Sequence, residues 1–152
     1  MDTHIIEALV IATVLGFVLG LERSLAGKHA GMRTYALVSL GSCLFTIVGV
    51  TASYQLAVFV GINPLQIASS IVVGIGFIGA GLAVVRGDNQ SNHVELTTAA
   101  GIWVAAAIGM ASGFSMYTVA VATTILAILV FSVFARIEHA IRVRFGSREH
   151  TS

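Results

Sequence analysis

The segment Gly20–Thr34, GLERSLAGKHAGMRT, decides how the chain is to be read. Five of its fifteen residues, Glu22, Arg23, Lys28, His29 and Arg33, are charged or titratable, in a chain of which 10% is Asp, Glu, Lys and Arg. The apolar run Ile5–Leu21 ends inside it, and a second run, Tyr35–Ala52, starts directly behind it. Charge gathered between two hydrophobic runs is either a water-facing hairpin that sets topology or part of a working site.

The 152 residues are 57% apolar, with a mean hydropathy of +0.95. A soluble domain of this size has too much surface to hide that apolar area, so the bilayer is the solvent. Outward from the first hairpin come a short connector, Ser53–Pro64, with the single proline, and a third run, Leu65–Val85. A second charged connector, Arg86–Glu95, leads to the runs Leu96–Phe114 and Ser115–Ala135. Runs of this length span hydrocarbon and must be helical there, because each backbone N–H and C=O needs a partner within its own segment. The pattern predicts an all-α polytopic membrane protein, a bundle of about five transmembrane helices over residues 1–135, with a basic cytoplasmic tail over 136–152. Gly109, Ser112 and Gly113 predict a tight turn between spans four and five. Ile137, Ile141 and Phe145, spaced by four, predict an amphipathic extension of span five.

Charge sets the expected orientation. All eight basic residues, Arg23, Lys28, Arg33, Arg86, Arg136, Arg142, Arg144 and Arg148, fall in the first and third connectors and the tail. Five spans put these segments on one side, which the positive-inside rule makes cytoplasmic, with the N-terminus outside. Met-Asp-Thr-His lacks the basic start of a cleavable signal, so the first run reads as a retained span. A net charge of +1 leaves no footprint for nucleic acid. The single Cys43 leaves no disulfide framework or thiolate metal site.

Gly74-Ile-Gly-Phe-Ile-Gly79 has the letters of a dinucleotide-binding fingerprint, but that motif needs a strand, a glycine turn in water and a helix N-terminus. Inside an apolar run, Gly74, Gly76, Gly79 and Gly81 instead predict a smooth face where another helix packs. Gly16 with Gly20, and Gly109 with Gly113, have the small-xxx-small spacing of helix pairs. Trp103 lies seven residues into span four, deeper than an interfacial belt, so its N–H is expected to find a Ser or Thr in the bundle. Glu7, one turn into span one, is either an interfacial residue or an intramembrane functional acid.

Asp88, Asn89, Asn92, His93 and Glu95 form an oxygen-rich connector. Asp88 and Glu95 are weak candidates for hydrated Mg²⁺, set against a reading in which Asn92 and Glu95 cap span four. No nucleophile–His–acid set, catalytic acid pair or His-x-x-x-His occurs, so neither an enzyme nor a cofactor is expected. The stronger candidate site is a polar cluster where spans one, two and four end at one membrane face. Glu22 is expected to pair with Arg23 or Arg33, with Thr97 and Thr98 close by and Lys28, Thr34 and Trp103 around them. The competing reading has Arg23 and Arg33 merely orienting the spans while Glu22 is solvated.

The residues that carry a resemblance run in order along the chain. They are Gly20-Leu-Glu-Arg23 with Gly27-Lys28, Ala30-Gly-Met-Arg-Thr34 leading into Leu37-Val38 and Leu40-Gly41, and Asn63-Pro64 with Gly74-Ile-Gly-Phe-Ile-Gly-Ala-Gly81. Leu96-Thr-Thr-Ala-Ala100 with Ile102-Trp103 and Gly109 complete the set. Over about residues 16–113 the chain resembles the MgtC/SapB family of bacterial inner-membrane proteins, in a short form without the soluble C-terminal domain. It departs from that pattern at Asn63, Gln66, Ser70 and Glu95. Helix contact of the chain with itself makes a homo-oligomer a separate expectation; the resemblance implies a multi-pass inner-membrane protein connected with growth in low magnesium and survival in host cells. It implies modulation of other membrane machinery, including the ATP synthase; the alternative is a transporter or channel for Mg²⁺ or another cation.

Overall fold

The computed structural model describes residues 2–56, 63–84 and 96–145. Its helices are α1 (Asp2–Leu25), α2 (Met32–Leu56), α3 (Pro64–Val84), α4 (Leu96–Gly113) and α5 (Tyr117–Leu129). A π-helical turn (Val130–Phe134) continues α5 into α6 (Ala135–Phe145). Five spans are long and apolar enough to cross a membrane: Thr3–Leu25, Met32–Gln55, Leu65–Leu82, Leu96–Gly113 and Tyr117–Glu138. No strand occurs among the described residues. The protein is an all-α polytopic membrane protein.

The hairpin between α1 and α2 is tight because Gly27 ends α1 in the left-handed region, at φ +68°. The Lys28 N–H donates to the Arg23 carbonyl at 3.0 Å and the Gly27 N–H to the Ser24 carbonyl at 3.1 Å. That pair of bonds is the Schellman cap, which satisfies the last carbonyls of a helix. The Met32 N–H, at the head of α2, donates to Ser24 Oγ at 3.2 Å, so α1 itself starts the next helix.

α4 is the centre of the bundle, packed against α1, α2, α3 and α5. It buries 44% of its spanning window, whereas α3 buries 11%. Its inward residues, Thr98, Gly101, Ile102, Ala105, Ala106, Gly109 and Ser112, recur at the three- and four-residue spacing of one helix face. Trp103 falls on the opposite side and is 51% exposed. The expected inward tryptophan is therefore corrected: an indole cannot share a face whose neighbours are glycine and alanine drawn against another backbone. Two glycines of α4 make that approach. A Cβ on Gly109 would fall on the Ser39 carbonyl of α2, and one on Gly113 would lie 2.8 Å from the Cys43 carbonyl oxygen. From the other side, a Cβ on Gly16 would lie 2.7 Å from the Tyr35 carbonyl oxygen, and one on Gly20 2.7 Å from Met32 Cα. α2 is held between α1 and α4 at backbone distance.

α3 departs from expectation. A Cβ on Gly74, Gly76 or Gly81 would meet nothing within 4 Å, and one on Gly79 would meet only Ala99 Cβ, at 3.6 Å. Within the chain, of these four glycines only Gly79 faces a packed neighbour. α3 docks through Ile71, Ile75 and Leu82, because dispersion contacts come from side-chain atoms that glycine lacks. Asn63 caps the helix, its Oδ1 accepting the Leu65 N–H at 2.9 Å, and Pro64 takes the first helical position, where a missing N–H costs nothing.

The turn from α4 to α5 repeats the Schellman pattern, with Met116 N–H to the Ala111 carbonyl at 2.8 Å and Ser115 N–H to the Ser112 carbonyl at 2.9 Å. The left-handed residue is Ser115, at φ 60°, not a glycine. Gly109 and Gly113 serve packing rather than the turn. Hydroxyls inside the helices mostly donate to the carbonyl four residues back, as Thr46 does to Ser42 (2.8 Å), Ser112 to Ile108 (3.0 Å) and Thr124 to Ala120 (2.9 Å). Ser39 is different: its hydroxyl reaches across to the Ala12 carbonyl of α1 at 2.7 Å.

Candidate functional site

Arg23 occupies the last turn of α1 and is 3% exposed. Among the described residues it is the one charged side chain that is buried. A guanidinium withdrawn from water needs compensation, and three groups supply it. The ring of Phe131, at the π-helical turn, lies under it with the centroid 4.4 Å from Cζ, a cation–π contact worth about 0.5–2 kcal/mol, more as water is excluded. Nη2 donates to Thr98 Oγ1 at 3.5 Å, and Nη1 lies 3.9 Å from Glu22 Oε2. Both polar distances are long, and Arg23 Nε and Glu22 Oε2 are buried without a hydrogen bond.

The pocket for this arginine depends on Tyr35 and Gly101. Tyr35, fully buried at the start of α2, donates its hydroxyl to the Thr98 carbonyl at 3.4 Å. A Cβ on Gly101 would fall on that hydroxyl and lie 2.8 Å from Phe131 Cζ. Gly101 is thus the gap through which the two aromatic rings meet beside the arginine. The four elements in contact are the end of α1, the start of α2, the start of α4 and the π-helical turn.

Of the predicted cluster, Glu22, Arg23 and Thr98 come together. Lys28, Arg33 and Thr97 are exposed and Thr34 is half-buried; with the outward Trp103 they stand outside the knot. Arg33 has no ion-pair partner among the described residues, so the acid pairs with its chain neighbour and not across the hairpin. Glu7 lies at the other end of α1, 3.6 Å from His4 Nδ1 and half exposed. Asp88 and Glu95 lie outside the described residues. Among the described residues no three of His, Cys, Asp and Glu are grouped to hold a metal.

Three members were not anticipated. Tyr35 carried a signal, since a buried tyrosine seeks a partner for its hydroxyl. Gly101, amid Ala and Thr, and Phe131, more than a hundred residues from Arg23, carried none that one chain can show.

Fold and site together define a multi-pass helical membrane protein built round one buried arginine. Comparison with known proteins gives the family: residues 9–140 match the MgtC family model, and the chain belongs to that family. It is 43% identical over 136 residues to YhiD of Escherichia coli, provisionally named a magnesium transporter, covering 88% of this chain and 62% of that protein. It is 38% identical over 133 residues to Protein SapB of Bacillus subtilis, covering 85% of this chain and 56% of that one. Protein MgtC of Salmonella typhimurium is 38% identical over 118 residues, 78% of this chain and 47% of that protein. The chain thus spans about half to three-fifths of the length of these relatives. No solved structure matches.

Proposed function

We propose that this protein is a non-enzymatic component of magnesium homeostasis in the bacterial inner membrane, acting by helix contact on other membrane machinery during adaptation to low magnesium or host stress. The family resemblance points to the ATP synthase, with effects on ion and phosphate balance, as the machinery affected. A homo-oligomer fits the same mode of action. In this reading the N-terminus lies outside and the charged hairpin inside, which the distribution of basic residues supports.

One observation carries the reading: the one charged residue that is buried among the described residues is a cation, with a single carboxylate, Glu22, beside it. A path for Mg²⁺ needs oxygen donors, carboxylates above all, and a buried guanidinium repels the ion. The interior hydroxyls are spread over separate helix turns rather than gathered with a carboxylate. The outer face of α3 is open instead: Val73 and Phe77 are exposed beside Gly76. That face is available for another protein.

The alternative, cation transport, is favoured by the magnesium-transporter name of YhiD. Flux of Mg²⁺ into proteoliposomes holding the purified protein separates the two. We expect flux equal to empty vesicles. Saturable uptake proportional to protein, and lost in Arg23→Gln, would replace our reading with transport.

A further inference from the structure

A second feature lies away from the arginine. Between α2 and α3 an apolar groove of about 560 Å³ opens outward, with Leu37, Gly41 and Phe45 on one wall and Ile71, Gly74 and Ile78 on the other. Its room comes from two glycines: a Cβ on Gly41 or on Gly74 would meet nothing within 4 Å. Leu37, Phe45 and Ile78 are exposed at its edges. Ser70, which also lines it, already donates its hydroxyl to the Gln66 carbonyl at 3.0 Å, so that hydroxyl asks for no polar ligand.

Arg33 precedes Leu37, Gly41 and Phe45 at intervals of four, so all four share one face of α2. It is exposed at the head of that face, has no ion-pair partner among the described residues, and follows exposed Lys28 and His29 in the same hairpin. We infer that the groove binds one acyl chain of an anionic phospholipid, with Arg33 holding the phosphate at the membrane surface.

Depth and charge both favour this occupant. The α2 wall, from Leu37 to Phe45, is about 12 Å long at 1.5 Å per residue. One leaflet's share of the hydrocarbon core is about 15 Å, so the groove takes a chain that starts at the Arg33 level and ends near mid-bilayer. Exposed basic residues beside a span attract anionic lipid, whereas a zwitterionic headgroup leaves Arg33 without a net counter-charge.

The test uses the full chain purified from bilayers of equal phosphatidylglycerol and phosphatidylethanolamine, with retained lipid counted by native mass spectrometry. We expect one lipid per chain, with phosphatidylglycerol favoured. Arg33→Gln should lower that preference about five-fold, the effect of one basic residue at an anionic surface, without emptying the groove. Gly74→Leu and, independently, Gly41→Leu should displace lipid of both kinds while far-ultraviolet circular dichroism stays unchanged. Should one of the two fail to fold, the other and the parent protein still decide. No retained lipid in the parent, equal retention of the two headgroups, or a dimer that Gly74→Leu splits would each overturn the assignment, the last by giving the groove to a second copy.

Discussion

A single methyl group separates the packed glycines from the open ones. In Gly109→Ala the new Cβ falls on the Ser39 carbonyl, with that carbonyl carbon 2.8 Å and Ser39 Cα 3.0 Å away. All three atoms are backbone and cannot rotate aside. Reaching the ~3.5–4.0 Å optimum for carbon contacts moves α4 about 1 Å from α2. A gap of that size forfeits roughly a quarter to a half of each dispersion contact it opens, in line with the ~1–3 kcal/mol of overpacked cores. The upper end applies because Gly113 lies one turn further along the same approach. Against it stands the gain of about 1 kcal/mol from replacing glycine by alanine in a helix, leaving a net loss of about 2 kcal/mol. In Gly76→Ala, with nothing within 4 Å, only the gain applies. The two variants should differ by about 3 kcal/mol, more than a hundred-fold in folding equilibrium. Reversible unfolding in mixed micelles, followed by the fluorescence of the single Trp103, measures both. A Gly109→Ala protein as stable as the parent, beside a destabilised Gly76→Ala, would refute the α2–α4 approach and restore the glycine face of α3 as the packed one.

Three further outcomes are expected. Arg23→Gln should lose about 2 kcal/mol in the same unfolding assay, because it leaves Glu22 uncompensated, and Arg23→Lys should recover less than half, since an ammonium lacks the flat face that stacks on Phe131. Tyr35→Phe should cost about 1 kcal/mol for its hydrogen bond, and combined with Gly101→Ala the loss should fall short of the sum by at least about 0.5 kcal/mol, because removing the hydroxyl makes room for the methyl; strict additivity would show that the two do not touch. Cysteines placed at Lys28 and Asn63 should react with a membrane-impermeant maleimide on intact cells only at position 63, the native Cys43 being fully buried and silent; reaction at position 28 would reverse the orientation.

Hydropathy displayed the spans because a bilayer leaves few alternatives to a helix, and α4 begins and α3 ends within a residue of where their apolar runs do. Which face of each helix turns inward was less legible. In α4 the glycines and alanines that permit close approach also decide where the bulky Trp103 must go, so its outward position follows from its neighbours. In α3 a denser glycine pattern met open space, since a small-residue motif states only that a backbone can be approached. Glu22 and Arg23 were visible as charge out of place, and Thr98 as a hydroxyl at the same depth. Phe131 was not, because an aromatic near the end of a span looks the same whether or not a cation waits beneath it. The turn at Ser115 deceived for a related reason: glycines drew attention as turn formers where the left-handed residue is a serine.

The π-helical turn at Val130–Phe134 has a consequence for everything that follows it. Ala120, Thr124 and Phe131 are all buried, in step with one another along a regular helix. One extra residue in the turn then advances the phase by about 100°, and Ile137 and Ile141 emerge exposed on a heading the span does not dictate. Deleting one residue of the turn beyond Phe131, at 132 or 133, would straighten the helix, keep the ring that lies against Arg23 and swing α6 to another compass bearing. The turn therefore works as a fixed angular offset between two parts of one continuous rod, and α6 takes its direction from that one surplus residue.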